Sequence, residues 1–250
     1  MQRLIAVIGF LFVGVSGFGL DLAAPQQADL AVLVEKAERN SDLEAALALI
    51  TELQSRVAAD PSQQNRLLLG RACLVAAEVR RYDYEKATNM DPRDRRLLGR
   101  TIDDVARIGH DALDGLPDDN SEKWRMKADL YGTMIRSMYK GNKYVNEMED
   151  ATEKAVKLGP DNPYALLTAS KRPLFAEEEH GGNIPEALAL LDHAIELDPK
   201  FERAHAFRGI AYEVLGRIDD AIVEWKLALE INPKSRLAAD KLNEFKDKAK

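Results

Sequence analysis

From residue 28 onward, apolar residues recur every three or four positions, in runs separated by short polar stretches. A period near 3.6 puts such residues on one face of a helix. The pattern predicts helices at about 28–39, 42–59, 63–82, 94–114, 121–140, 144–158, 162–170, 184–197, 202–215, 218–231 and 235–248. Five runs close on a proline, at Pro61, Pro117, Pro160, Pro199 and Pro233. A proline has no amide proton and its ring clashes with the preceding turn, so it stops a helix. Asn183 with Glu186, and Ser41 with Glu44, have capping-box spacing with the first residue as N-cap. Gly216 stands where the helix ending near residue 215 needs a left-handed residue.

The last two prolines are 34 residues apart, whereas the earlier gaps are 39, 43 and 56. A fixed period of this length marks a helix–turn–helix repeat, with insertions upstream. The final unit reads RGIAYEVLGRIDDAIVEWKLALEINP from Arg208. Gly209 and Ala221 are small where two helices must approach closely, and Tyr212 and Trp225 are large where a helix pair must fill space against its neighbour. With Ala228 and Pro233 these residues resemble the tetratricopeptide repeat (TPR) family, although His205 stands where Trp is common and Arg208 where Leu is common. The unit ending at Pro199 matches in its second helix through Ala187, Leu191 and Ala194. The best-matching repeats span 163–199 and 202–233. The last helix, 235–248, puts Leu237, Ala238, Leu242 and Phe245 on one face and charged residues on the other, as a terminal cap requires. The resemblance implies an all-α fold over 28–250: a right-handed α-solenoid of about five helix pairs with a C-terminal capping helix.

Residues 1–20, MQRLIAVIGFLFVGVSGFGL, have one early cation, Arg3, then no charge from Leu4 to Leu20. Gly17-Phe18-Gly19 has the small-x-small spacing that signal peptidases accept. The expectation is a signal peptide over 1–19 and a flexible leader over 20–27, giving a periplasmic or secreted protein. The alternative is an uncleaved anchor holding the chain at the membrane, facing the periplasm.

Composition narrows the function. The chain has 250 residues, 46% hydrophobic, 31% charged and only 6% aromatic, with a formal net charge of −7. Low aromatic content argues against a β-sandwich, and the negative charge against nucleic acid as partner. A single cysteine excludes an internal disulfide. Cys73 lies in the apolar run LLLGRACLVAAEV and is expected to be buried and inert. There is no nucleophile elbow, phosphate loop, dinucleotide fingerprint or His-Glu-x-x-His, so no catalytic, cofactor or metal residue is assigned. Glu177, Glu178, Glu179 and His180 have metal-ligand chemistry, but neighbours in one loop rarely converge on an ion and read as a solvated stretch. His193 and His205 read as packing or boundary residues. Longer loops are expected at about 80–92 and 171–182.

Stacked helix pairs curve, and the first helix of each pair faces the concave side. By helical spacing, Ala206, Ile210 and Glu213 of the final unit face that groove, with Tyr164, Leu167 and Lys171 as counterparts one unit earlier. The expected function is an exported, non-enzymatic scaffold binding a protein or peptide, another envelope protein, through the groove. The paired Lys and Asn residues with which some TPR domains clamp a terminal carboxylate have no counterpart at the matching places. Pro173-Leu174, Gly181-Gly182 and EALALLDHAIELDP also resemble, over a short stretch, the periplasmic TPR subunit associated with tripartite (TRAP) transporters. That resemblance implies a solute-binding accessory subunit. A metal-dependent enzyme using the Glu177–His180 loop is the third reading. No motif encodes the oligomeric state.

Overall fold

The computed structural model describes the backbone of residues 27–248 and the side chains of residues 28–245. The expected signal peptide and leader lie outside the described residues. Among the described residues eleven α-helices follow one another, beginning with α1 (Gln27–Asn40), α2 (Leu43–Ala59), α3 (Gln63–Lys86), α4 (Pro92–Asp114), α5 (Ser121–Met134) and α6 (Met138–Leu158). Then come α7 (Pro163–Phe175), a 3-10 turn (Glu178–His180), α8 (Ile184–Leu197), α9 (Glu202–Val214), α10 (Ile218–Ile231) and α11 (Arg236–Lys248). There is no strand among the described residues.

Short polar side chains start α2 and α4 to α8. The Oδ1 atoms of Asn120 and Asn183 accept the amide protons of Lys123 and Glu186 at 3.0 and 3.2 Å, satisfying donors that the first turn leaves unpaired. Before α2 the cap is Asp42, not Ser41: its Oδ1 accepts from the Ala45 amide at 3.0 Å. Ser41 instead takes a left-handed backbone (φ 49°) that turns the chain out of α1. Gly216 (φ 73°) does the same after α9, where the Arg217 amide returns to the Tyr212 carbonyl at 2.9 Å.

Four helix ends differ from the sequence expectation by more than two residues: the ends of α3, α5 and α7, and the start of α6, which lies at Met138 rather than near 144. Helix α3 continues to Lys86, so the 80–92 loop shrinks to 87–91. Tyr82, Asp83 and Lys86 meet partners on α11, and Arg81 pairs with Glu85 at 2.7 Å. Helix α5 stops at Met134 because Ile135 turns extended (ψ 97°) and gives its carbonyl to Arg81; Ser137 then caps α6. Helix α7 runs through Pro173 to Phe175, since Leu174 is anchored in the core and the Pro173 carbonyl is taken by the Asn183 amide at 2.8 Å. The expected 171–182 loop is therefore mostly helix end and 3-10 turn.

Helices pack as consecutive hairpins, α1/α2, α3/α4, α5/α6, α7/α8 and α9/α10, with α11 capping α10. The first helices also touch in series, α3 to α5, α5 to α7 and α7 to α9, and form the inner wall. Apolar burial falls into three clusters. One spans α1 to α5, one joins α7, α8 and α9 around Leu167 and Leu191, and one runs from α7 to α11 around Trp225. In the last, Ala187, Ala221 and Ala228 are fully buried, and Ala194 is fully buried beside Leu191. The Trp225 indole donates to the Ala206 carbonyl at 3.1 Å and stacks on Phe245 at 5.5 Å. A Cβ on Gly209 would lie 2.4 Å from the indole nitrogen, so only glycine lets α9 and α10 close. Tyr212 is half-buried beneath Arg217, and Pro233 follows the end of α10.

The two departures from the repeat pattern compensate one another. Buried His205 places Nδ1 2.8 Å from Glu224 and Nε2 3.2 Å from the Pro199 carbonyl. Arg208 donates to Glu224 and Asp192, both at 2.8 Å. Burial works to raise the Glu224 pKa, but its bonds to His205 and Arg208 outweigh that and hold the carboxyl below the ordinary range.

Candidate binding cavity

The inner helices line an open cavity of about 1810 Å³ with walls from α1, α3, α5, α6, α7, α8, α9 and α11. Its geometry follows from helical period. On α7 the cavity face is Thr168, Lys171, Arg172 and Phe175, which recur at three- and four-residue intervals. On α9 it is Arg203, Ala206, Phe207 and Ile210.

The floor is a chain of alternating charges that links α1, α3, α5, α7 and α9. Arg71 on α3 pairs with Glu38 on α1 at 2.6 Å. Glu38 meets Arg203 on α9 at 3.6 Å, and Arg203 meets Glu78 on α3 at 2.7 Å. Glu78 lies 3.7 Å from Lys171 on α7, which pairs with Asp129 on α5 at 2.6 Å. Asp129 also accepts from Thr168 at 3.0 Å and Arg125 at 3.4 Å, and Arg125 reaches Glu122 at 2.7 Å. Cations and anions thus balance along the chain. Burial pushes the Asp129 pKa up, but Lys171 and Arg125 pull it further down and keep it ionised. Arg203 is likewise held charged: burial opposes its charge, and Glu78 and Glu38 more than restore it. A charge far from water persists only with such partners.

Above this floor the walls carry apolar patches, with Val145 and Met148 on α6, Leu190 on α8, and Phe175, Phe207 and Ile210 opposite, beside charged residues such as Glu149, Arg172 and Lys86. Phe175 is 59% exposed and meets Phe207 edge-on at 5.9 Å. The cavity therefore offers apolar contact over a base whose charges are already neutralised.

Of the residues expected to face the groove, Lys171, Ala206 and Ile210 line the cavity. The other three do not. Leu167 is 2% exposed, one position round α7 from the cavity face and inside the α7–α9 core. Tyr164 packs on Phe201 at 4.5 Å and beneath Arg125 at 5.3 Å. Glu213 turns toward α11 and pairs with Lys241 at 2.7 Å. Sequence reasoning missed Glu38, Glu78, Asp129 and Arg203. The available signal was a charge inside an otherwise apolar face, as where Glu78 follows LVAA.

In the 176–183 connection, the donor atoms of Glu177, Glu179 and His180 come within 4.8 Å of one another, all three residues exposed. Arg172 anchors the turn by donating to the His180 carbonyl at 3.1 Å. Three exposed donors on one turn keep their own hydration, and no buried ligand joins them among the described residues. His193 is exposed, unlike buried His205. No described helix is long and apolar enough to cross a membrane.

The architecture has counterparts among solved structures. The crystal structure of TTC0263, a thermophilic TPR protein of Thermus thermophilus, superposes with a TM-score of 0.58 over 87% of this chain and 98% of that one, at 14% identity. The chain has the tetratricopeptide-repeat fold. Two MamA crystal structures also align, at TM-scores of 0.40 and 0.37 and identities of 17% and 16%. These cover 81% and 83% of this chain, and 95% and 92% of theirs. No family model and no curated protein matches the sequence.

Proposed function

We propose that this TPR chain is a non-enzymatic scaffold that holds a peptide segment of a protein partner in its central cavity. The supporting observation is the cavity itself, about 1810 Å³ with apolar patches on its walls over a self-neutralised floor. A helix about 10 Å across rises 1.5 Å per residue and fills about 120 Å³ per residue, so roughly 15 residues fit. An amphipathic segment would set its apolar face against Phe175, Phe207 and Met148. The signal-like residues 1–19 support action after export, with an envelope protein as partner.

A photo-crosslinking side chain at Phe175, used in intact cells, tests this reading, with Val223 on the outer surface (61% exposed) as control. A discrete protein adduct at Phe175, absent at Val223, is expected. Equal labelling at both positions, or a small solute retained by the native protein in mass spectrometry with no protein adduct, would overturn it. N-terminal sequencing of the protein from cells tests export; an intact Met1 in the cytosolic fraction would count against it.

A further inference from the structure

The stack does not stay open. Its last helix returns to its second hairpin, and polar contacts join the two across that seam. Arg236 on α11 pairs with Asp83 on α3 at 2.7 Å and lies over the Tyr82 ring at 4.7 Å. The Tyr82 hydroxyl donates to Asp240. Lys86 lies 3.3 Å from Asp240 and 3.2 Å from Glu244. Just before α11, the Asn232 side-chain amide donates to the Arg39 carbonyl of α1 at 2.9 Å. These partners stand 153 to 193 residues apart in the chain.

No hydrophobic cluster bridges the seam among the described residues. The first cluster draws on α1 to α5, with Tyr144 of α6 packed against it, and the other two on α7 to α11. The side chains of Lys86, Asp83, Arg236, Asp240 and Glu244 are 40–50% exposed, whereas Glu38, Glu78 and Arg203 deeper in are 15–26% exposed. Half-exposed ion pairs are weak even at low salt, and their attraction falls further as the screening length shrinks to about 3 Å near 1 M, close to their own separations. Tyr82, Lys86, Arg236, Asp240 and Glu244 all line the cavity, so the seam forms part of its wall.

We propose that the α3–α11 seam is an ionic clasp that closes the ring of helices and releases when its charges are screened, widening the entrance to the central cavity. The clasp is a property of the free chain, whatever the cavity holds, and its test needs no ligand.

Spin labels on the full chain at Thr88→Cys and Asn243→Cys, both exposed, flank the clasp without replacing a member; Cys73 is buried and stays unlabelled. Pulsed dipolar spectroscopy reads their separation at about 0.01 M salt, where screening extends roughly 30 Å, and at about 1 M, where it extends about 3 Å. One short distance is expected at low salt, and a longer, broader population at high salt with helical circular dichroism unchanged. Lys86→Glu should give the longer population at low salt, and adding Asp240→Lys and Glu244→Lys should restore the short one. An unchanged distance in the salt series, or lengthening only with loss of helix, would overturn the clasp. If Lys86→Glu does not fold, the wild-type salt series decides alone.

Discussion

His110 makes one internal site answer to pH. It lies on α4, half-buried, with its ring 4.1 Å from that of Tyr131, which stacks in turn on Tyr144 at 5.8 Å. Neither ring nitrogen has a hydrogen-bond partner among the described residues. Burial, reinforced by the Lys127 charge and only partly offset by Asp114, lowers its pKa from 6.5 to about 4. The folded chain thus binds this proton less readily than the unfolded chain. The neutral ring contributes stability that is complete above about pH 6.5 and is lost as pH falls toward 4. A shift of one pKa unit corresponds to 1.36 kcal/mol, so the cost at pH 4.5 is about 2.5 kcal/mol. Urea unfolding of wild type and His110→Phe at pH 7.5 and 4.5 isolates the site, because other titrating groups cancel in the difference. The wild type should lose about 2–3 kcal/mol more than the variant over that interval. At pH 7.5 the variant should match or exceed wild type, since two unpaired polar atoms are gone. Parallel pH profiles would refute the reasoning.

Three further outcomes follow from packing and polar pairing. Gly209→Val should lower stability by about 1–3 kcal/mol because its side chain meets the Trp225 indole, and pairing it with Trp225→Leu should recover part of the loss; calorimetry of both variants checks this. Arg208→Leu restores the residue common in TPR sequences, yet should destabilise by about 1–3 kcal/mol in urea titrations, because Glu224 loses a charged donor. Cys73 is fully buried and burial raises its thiol pKa well above the ordinary value, so a thiol reagent at pH 8 should label it only after denaturant is added; fast labelling of the native chain would contradict the packing.

The repeat unit was legible where its signature is steric. Gly209, Trp225 and the alanines of α8 and α10 report a close helix approach that any chain must solve with small and large residues at those positions. Helix ends were less legible, because partners far away in sequence decide them. Lys86 stays helical beside α11, and Ile135 leaves the helix to meet Arg81. Spacing alone puts the α2 cap one residue early, since serine and aspartate both cap and only the left-handed turn at Ser41 chooses between them. The cavity floor was the least legible part. Asp129 and Lys171 lie 42 residues apart and Glu78 and Arg203 125 apart, and helical period reveals which side a charge faces without naming its mate.

The chain of charges through the cavity floor also bears on how the molecule comes apart. A simple array of repeats couples only adjacent units, so it can melt from its ends in steps and tolerate loss of a terminal hairpin. Here Glu38 in the first hairpin is tied to Arg203 in the fifth, and Glu78 in the second reaches both the fourth and the fifth. Removing α1 would take a carboxylate from Arg71 in the adjacent hairpin and from Arg203 in the fifth. Such rungs between non-neighbours make the hairpins one melting unit, and fragments cut between them would forfeit stability out of proportion to their size.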